Sequence, residues 1–145
     1  MKLVLQRVTK ASVKVEAELI AEIGTGLLIL LGIGESDDGA QMEWLAKKTV
    51  ELRIFEDADG KMNRSLLDIG GEILLVSQFT LFADCRKGRR PGFSEAALPE
   101  KADRMYREFA GMLRSLGVEV KTGIFGAHME VSLLNDGPVT IILER

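Results

Sequence analysis

The run Ser77-Gln78-Phe79-Thr80-Leu81 places three polar side chains in an apolar, strand-forming stretch that extends from Ile73 to Phe82. Alternation along a strand would put Ser77, Phe79 and Leu81 on one face and the residues between them on the other. Where such a strand ends at a surface, its last backbone N–H groups lack partners, and two of them can stabilise the oxyanion of a tetrahedral intermediate. The run therefore indicates an acyl-transfer site. The alternative is a strand whose edge tolerates serine and threonine.

A side-chain nucleophile at Ser77 or Thr80 would need a general base within hydrogen-bond reach, and the chain has one histidine, His128. His128 begins a strand-like stretch, where a single histidine is more often a surface residue than a catalyst. Cys85 and His128 could form a thiol dyad, but nothing in the sequence makes them neighbours. One cysteine and one histidine are also too few for a zinc site. We expect neither a metal nor a cofactor.

A second unusual feature is the dipeptide Gly137-Pro138, which lies between the strand-like runs His128 to Leu134 and Val139 to Leu143. Proline cannot donate to a sheet ladder and glycine has no Cβ, so we expect the sheet to reverse or kink there. An X-Pro bond is the one peptide bond at which cis is accessible, about 0.5–1 kcal/mol above trans. The plain interpretation is a tight turn. A cis unit would instead present two backbone carbonyls as a rigid polar surface.

A basic loop follows the polar run, with four cations, Arg86, Lys87, Arg89 and Arg90, within five residues. The whole chain carries a net charge of −3, which argues against a protein that coats nucleic acid generally. A local basic patch can still hold phosphates. The alternative is a solvated loop.

Composition limits the class of protein. The 145 residues fit one domain, 1–145, and 46% hydrophobic with 28% charged residues is ordinary for a globular chain. The longest apolar run, Leu27 to Leu31, is too short to span a bilayer, so we expect no membrane association. Met1-Lys2 leads into strand-like sequence without a secretory signal, and the single Cys85 cannot form an internal disulfide. These features favour a cytoplasmic protein.

Two helices are predicted from apolar residues at helical spacing. The first begins near Asp38, which with Gln41 forms a weak capping box. The second begins at Pro99 and ends at Gly117. Their apolar stripes are Met42, Leu45, Ala46, Thr49 and Val50 in the first, and Ala102, Met105, Tyr106, Phe109, Leu113 and Leu116 in the second.

The remaining sequence predicts about eight strands, most of them joined by short turns such as Gly24 to Gly26. Leu27 to Ile33 is apolar without alternation, which indicates a central strand covered on both faces. We therefore expect an α+β fold with a largely antiparallel, barrel-like sheet and two main helices packed outside. The other predicted strands are Leu3–Leu5, Val13–Val15, Leu19–Ile23, Ile73–Phe82, Val118–Lys121, Met129–Leu134 and Val139–Leu143.

The run Ser77 to Leu81 and the stretch Asn135-Asp136-Gly137-Pro138-Val139-Thr140 together resemble the two signature motifs of D-aminoacyl-tRNA deacylases, also called D-tyrosyl-tRNA(Tyr) deacylases. Neither motif alone is specific, but the pair at this separation is. The resemblance covers essentially the whole chain, because other segments match in family order. These segments are Val4-Leu5-Gln6-Arg7-Val8, Ala11-Ser12-Val13, Lys87-Gly88-Arg89-Arg90-Pro91 and Thr122-Gly123-Ile124-Phe125-Gly126-Ala127.

The resemblance implies a cytoplasmic, homodimeric esterase that removes D-amino acids, and glycine, from mischarged tRNA. It implies that a cis Gly137-Pro138 of one protomer faces the partner's polar run, where its carbonyls exclude an L side chain. Ser77 and Gln78 would belong to the catalytic motif, and the N–H groups near Phe79 and Thr80 would hold the oxyanion. The resemblance also implies that the terminal ribose 2′-hydroxyl of the tRNA helps to activate water.

Phe125 would line the pocket of the terminal adenosine. Three alternatives stay open at this point. Thr80 could act as a nucleophile, the protein could be a non-catalytic RNA-end-binding module that uses the basic loop, or it could be an amidohydrolase of small D-amino acid derivatives.

Overall fold

The protein, seen in a computed structural model that describes residues 1–145, is an α+β fold built on a mixed six-stranded sheet. Three helices accompany the sheet, and one of them is a single short turn. The strands are β1 (Lys2–Val15), β2 (Glu18–Ile23), β3 (Gly26–Gly32), β4 (Phe55–Glu56), β5 (Met62–Arg64), β6 (Glu72–Ser77), β7 (Glu119–Thr122) and β8 (Glu130–Glu144), and the helices are α1 (Gly39–Glu51), α2 (Leu66–Ile69) and α3 (Pro99–Ser115).

The sheet runs in the order β2-β1-β3-β6-β7, and β8 pairs with β1. β4 and β5 form a separate two-stranded hairpin. The sheet curls so that β2 approaches β7, and Lys121 of β7 links the two strands. Its Nζ donates to the Glu22 carbonyl oxygen at 2.9 Å and to Glu72 Oε1 at 2.9 Å. The predicted barrel-like shape is confirmed.

The prediction of a largely antiparallel sheet is only partly correct. β1 pairs antiparallel with β2, β3 and β8, but β6 is parallel to both β3 and β7. The chain between β3 and β6 contains α1, and the chain between β6 and β7 contains α3. A long crossover brings the chain back to the end of the sheet at which the previous strand began. The next strand therefore runs parallel to the previous one.

β1 is one long strand where the sequence predicted two, Leu3–Leu5 and Val13–Val15. The strand stays continuous because a long antiparallel hairpin covers one of its edges. β3 and the end of β2 follow that edge in one register from Lys2 to Val13, with Ala11 opposite Ile23 and Val8 opposite Gly26. The predicted turn at Gly24 to Gly26 is therefore wrong, since the chain continues in the same direction there.

β8 is also one strand where the sequence predicted two, so the interpretation of Gly137-Pro138 as a reversing turn is wrong. Gln6 of β1 lies opposite Thr140, whereas Val8 lies opposite Asn135. Between these two pairs β8 advances five residues while β1 advances two, so Asp136 to Val139 bulge out of the ladder. A bulge accepts proline because its residues need not donate to the neighbouring strand. The predicted kink is thus a bulge inside a continuous strand.

Both main helices are placed as predicted, outside the sheet. Asp38 and Gln41 form the capping box of α1, and its predicted stripe is buried. Pro99 is in the first turn of α3, and Gly117 follows its C-cap with φ +91°. Phe109 of α3 and Leu45 of α1 are fully buried in the main core, together with Leu5 of β1.

Candidate active site

The polar run lies at the end of β6, but its geometry differs from the prediction. β6 ends at Ser77, and Phe79–Phe82 form a 3₁₀ helix, so the predicted strand to Phe82 and its alternating faces are wrong. The Gln78 amide donates to the Leu31 carbonyl oxygen at 2.8 Å and closes the ladder with β3. Beyond β3 the Ile33 carbonyl oxygen accepts from the Ala97 amide at 2.9 Å, so this backbone is not available to a longer β6.

The backbone at the start of the 3₁₀ helix offers hydrogen-bond donors. The first amides of such a helix have no acceptor within the helix, and no side chain caps this one. These amides belong to Phe79 and Thr80. The Thr80 hydroxyl accepts a hydrogen bond from Gln78 Nε2, so its contact is with an amide group and not with a base. The arrangement offers main-chain donors for an oxyanion and no activated side-chain nucleophile.

A cavity of about 600 Å³ opens beside this strand end. Ser77, Gln78 and Phe79 form one wall, and Phe125 lies in the wall formed by the loop after β7. Thr80 is adjacent in sequence but is not among the lining residues. The structure therefore places Phe125 in the same cavity lining as the start of the polar run, and its contact with a terminal adenosine stays a prediction. The remaining lining comes from Leu31, Ile33, Val76, Phe93, Ala96, Ala97, Leu98, Pro99, Ala102, Gly126, Ala127, His128, Met129 and Val131.

The two reactive side chains considered from sequence lie in different places. His128 is exposed and lines the large cavity. Cys85 is exposed and lines a separate hollow that it shares with Lys2 and Phe82. The structure gives no support to a Cys85–His128 dyad. No group of three or more His, Cys, Asp or Glu side chains is placed to hold a metal ion.

Tyr106 of α3 marks the point at which β6 and β7 separate to open the cavity. The last pair of these strands is Leu75 with Thr122. The Tyr106 hydroxyl donates to the Leu75 carbonyl oxygen at 2.7 Å, and the Gly123 amide donates to the same oxygen at 3.0 Å. Burial raises the pKa of Tyr106 to about 12, so the hydroxyl stays a donor at neutral pH. Its ring lies 5.9 Å from that of Phe125.

The Gly137–Pro138 peptide bond is cis, as predicted. Both residues are exposed, and neither lines the cavity of its own chain. The structure therefore does not bring them together with Ser77 to Thr80 within one protomer. Asn135 Oδ1 accepts a hydrogen bond from the Val139 amide at 2.9 Å and thereby spans the bulge.

Arg7 of β1 holds the Asp136–Val139 bulge in place through hydrogen bonds, a role that was not predicted from the sequence. Its side chain is almost fully buried, and its Nε donates to the Asp136 carbonyl oxygen at 3.0 Å. Nη1 donates to the Ile54 carbonyl oxygen at 2.7 Å. Nε also lies 3.2 Å from Asp136 Oδ2, and Nη2 lies 3.7 Å from Glu56 Oε1. The available signal was a lone cation in phase with the buried Leu3 and Leu5 of the same strand.

The basic loop forms a small closed projection. The backbones of Asp84 and Gly92 exchange two hydrogen bonds, of 2.8 and 2.9 Å. Arg86 forms an ion pair with Asp84 at 2.8 Å, which raises the pKa of Arg86 and lowers that of Asp84. Lys87, Arg89 and Arg90 are exposed and form no ion pair. Three of the four predicted cations are therefore unpaired. None of the four helps to line the large cavity.

The fold and the site define a class of α+β proteins with a cavity at the end of a sheet strand and an uncapped 3₁₀ helix next to it. None of the helices is both long enough and apolar enough to cross a bilayer. Residues 4–144 match the profile of a family described as D-Tyr-tRNA(Tyr) deacylase. The chain belongs to this family of aminoacyl-tRNA hydrolases.

Curated relatives match along the whole chain. A protein named D-aminoacyl-tRNA deacylase from Thermomicrobium roseum is 60% identical, with 99% of this chain and 94% of the relative covered. One of the same name from Roseiflexus sp. is 62% identical, with coverage of 99% and 93%.

Solved structures show the same fold. The structure named c-Myc DNA Unwinding Element Binding Protein is 46% identical with a TM-score of 0.95, covering 100% of this chain and 99% of that one. A probable eukaryotic D-amino acid tRNA deacylase is 18% identical with a TM-score of 0.83, covering 98% and 97%, which indicates the fold alone.

Proposed function

We propose that the protein hydrolyses the ester bond of D-aminoacyl-tRNA, and of mischarged glycyl-tRNA, in the cytoplasm. The products are free tRNA and the D-amino acid or glycine, so the reaction is a chiral proofreading step in translation. The carrying observation is the uncapped start of the 3₁₀ helix beside the cavity, where the Phe79 and Thr80 amides can receive an oxyanion. Family membership supplies the substrate class.

The proposed chemistry needs few side chains. Water attacks the ester carbonyl carbon, and the Phe79 and Thr80 amides stabilise the oxyanion of the tetrahedral intermediate. The bond from carbon to the ribose oxygen then breaks, and that oxygen takes up a proton. Ser77 and Gln78 shape the wall, and Phe125 lines the position of the terminal adenosine. Because the Thr80 hydroxyl contacts Gln78 and no base, we assign activation of water to the neighbouring 2′-hydroxyl of the tRNA.

Thr80→Ala and Thr80→Pro form a matched pair that tests this mechanism. Alanine keeps the backbone N–H, whereas proline removes it. We expect Thr80→Ala to keep most of the single-turnover rate on D-tyrosyl-tRNA, and Thr80→Pro to lose about 10²–10³-fold, the usual effect of one oxyanion donor. Terminating the tRNA with 2′-deoxyadenosine should also slow the reaction strongly. A folded Thr80→Ala protein without activity would support a side-chain nucleophile instead.

Chiral selection is proposed to act across a homodimer, with the exposed Gly137-Pro138 of one protomer facing the partner's Phe79 and Thr80. Two observations support a second copy. β8 pairs only with β1, so its other edge is open, and an open edge of that length favours pairing with another chain. Leu134 and Ile142 of β8 are large apolar side chains that are exposed in one protomer.

Glycine at position 137 presents backbone without a Cβ, and its carbonyl would meet the side chain of an L-aminoacyl substrate. A D side chain points the other way, so the filter depends on the α-carbon alone. Rejection of the L form by a clash with rigid backbone discriminates better than loss of an apolar contact. This explains how one site could accept many D-amino acids and achiral glycine.

Mixed dimers test the proposal that the filter acts in trans. A Gly137→Ala chain paired with a Thr80→Pro chain has one composite site with both parts intact. We expect each variant homodimer to have low activity on D-tyrosyl-tRNA, and the mixed dimer to recover part of that activity. No recovery from a verified mixed dimer would contradict the trans arrangement.

Direct assay of the wild-type protein separates the proposed function from its rivals. We expect release of amino acid from D-tyrosyl-tRNA and glycyl-tRNA, but not from L-tyrosyl-tRNA. The unpaired cations Lys87, Arg89 and Arg90, with Arg86 beside them, would hold tRNA phosphates. Tight tRNA binding without hydrolysis would instead indicate an RNA-end-binding module. Equal cleavage of free D-amino acid esters would indicate a small-molecule hydrolase.

A further inference from the structure

Two phenylalanine rings, Phe79 and Phe93, form an exposed pair in the lining of the cavity. The two residues are 56% and 36% exposed, and their ring centroids lie 4.9 Å apart with an interplanar angle of 64°. We call them the rim pair. Phe125, in contrast, is half-buried and packs toward Tyr106. The cavity thus has one aromatic ring in its interior and two at its exposed side.

The rim pair flanks the basic loop. Phe79 begins the 3₁₀ helix just before this loop, and Phe93 directly follows Gly92, whose backbone pairs with Asp84 to close it. Lys87, Arg89 and Arg90 project from the same loop without acidic partners. Exposed aromatic rings beside unpaired cations are the combination that proteins use for single-stranded RNA, since bases stack on the rings and phosphates meet the cations.

We propose that the rim pair stacks the base of the penultimate nucleotide at the tRNA 3′ end. This inference rests on the proposed function. The ester is on the terminal ribose, and its carbonyl must reach the Phe79 and Thr80 amides, so the terminal adenosine occupies the cavity toward Phe125. The strand must then leave past the exposed side of the cavity. The Phe79 ring belongs to the residue that supplies an oxyanion donor, so the next base lies beside it.

The cations of the basic loop then bind the phosphates of the nucleotides that precede the penultimate one. This order of contacts predicts that the rim pair acts on substrates that carry a penultimate base and contributes much less to those that end at one nucleoside. It also separates the rim pair from the interior ring, which every substrate would contact.

The test combines Phe93→Leu with three substrates: D-tyrosyl-tRNA, the same tRNA without its penultimate base, and D-tyrosyl-adenosine, which ends at one nucleoside. Leucine keeps apolar volume but removes the flat ring. On D-tyrosyl-tRNA we expect KM to rise about tenfold with little change in kcat, and on D-tyrosyl-adenosine we expect a much smaller effect. A tRNA with an abasic penultimate residue should bind the wild-type protein more weakly, with KM raised by a similar factor. In Phe93→Leu the missing base should raise KM no further.

Trp44→Leu is the matched control, because Trp44 is an exposed aromatic residue that contacts Arg145 and does not line the cavity. It should change neither substrate's kinetics. A tRNA with 2-aminopurine at the penultimate position gives a second measurement, since stacking quenches its fluorescence. We expect quenching by the wild-type protein and by Trp44→Leu, and less quenching by Phe93→Leu.

The outcomes distinguish this inference from the proposed function. If wild-type protein cleaves D-tyrosyl-tRNA and the abasic tRNA equally well, the rim pair does not stack that base, and the proposed function stands. If Phe93→Leu impairs D-tyrosyl-adenosine as strongly as the tRNA, the ring shapes the cavity itself and the inference is wrong. If wild-type protein cleaves no D-aminoacyl-tRNA, the proposed function fails first. The abasic comparison needs only wild-type protein, so it decides the question even if Phe93→Leu does not fold.

Discussion

Replacing Arg7 tests whether one buried side chain holds the Gly137-Pro138 bulge in place. The guanidinium donates to two backbone carbonyl oxygens, those of Asp136 and Ile54. It thus ties β8 to the segment that precedes the β4–β5 hairpin. Arg7→Ala would remove both donors at once, and Arg7→Lys would keep the charge but lose the fork that spans the two carbonyls.

The loss in the free energy of unfolding follows from the carbonyl oxygens that Arg7→Ala leaves without a donor. A buried acceptor without its donor costs about 1–3 kcal/mol. The contact with Ile54 is buried and that with Asp136 only partly buried, so the second costs less, and Arg7→Ala should lower the free energy of unfolding by about 2–5 kcal/mol in all. The carboxylates of Asp136 and Glu56 add little, because their side chains are 49% and 57% exposed and water replaces the guanidinium. Arg7→Lys should fall between wild type and Arg7→Ala.

The assay measures urea unfolding and D-tyrosyl-tRNA hydrolysis on the same preparations, at a temperature where every variant is folded. Lys10→Ala is the control, because Lys10 lies on the same strand and forms an exposed ion pair with Glu22. Its effect should stay within about 0.5 kcal/mol. If the bulge is the chiral filter, folded Arg7→Ala should lose hydrolysis or begin to cleave L-tyrosyl-tRNA. An Arg7→Ala protein with the stability and selectivity of Lys10→Ala would refute the reasoning.

Three further predictions concern other positions. Gly137→Ala should destabilise the bulge and lower D-tyrosyl-tRNA hydrolysis more than tenfold, because a Cβ there would lie 2.7 Å from Val139 Cγ2 at a φ of +132°; unfolding and hydrolysis equal to wild type would contradict this. Thr49→Val should raise the free energy of unfolding by about 1 kcal/mol, because Thr49 Oγ1 is buried without a hydrogen-bond partner, and a lower melting temperature would be the wrong sign. Arg89→Ala combined with Arg90→Ala should raise KM for every tRNA alike and reduce the salt dependence by about one to two phosphate contacts, whereas an unchanged slope would assign both cations to a solvated loop.

The helices were predictable because their signals are local. Capping side chains, a helical apolar stripe, Pro99 and Gly117 all act within a few residues of the feature that they define. No partner elsewhere in the chain is needed to recognise them. The structure confirms both helices for this reason.

The ends of strands were not predictable because neighbouring strands decide them. The residues after Ser77 are strand-forming, but β3 ends at Gly32 and the backbone beyond it pairs with Ala96 and Ala97 instead. The chain turns into a 3₁₀ helix over that end, where a Cβ on Gly32 would lie 3.0 Å from Leu81 Cβ. The same non-local logic joins the two halves of β8, since β1 runs unbroken beside both.

The site was only partly predictable from sequence, because several of its functional groups are backbone groups and not side chains. The donors at Phe79 and Thr80 are backbone groups, so side-chain chemistry gives them no signature beyond the short polar run. Phe125 could be placed only through the resemblance of its loop. Arg7 was missed because its partners are carbonyl oxygens of Asp136 and Ile54, whose proximity depends on the bulge and the hairpin.

The sheet register supplies an independent argument for the proposed second copy. Ser77 lies level with Leu31, Leu3 and Leu143 across the sheet, whereas Arg7, beneath the bulge, lies level with Ile73. Four residues of strand, about 13 Å, therefore separate the two levels, and three strand spacings, about 14 Å, separate β6 from β8. One chain holds the bulge and the oxyanion donors far apart on a rigid sheet. The proposed second copy must therefore supply the bulge, and a two-fold axis that sets one bulge against the partner's donors also sets the partner's bulge against the first protomer's donors, so two sites form at once.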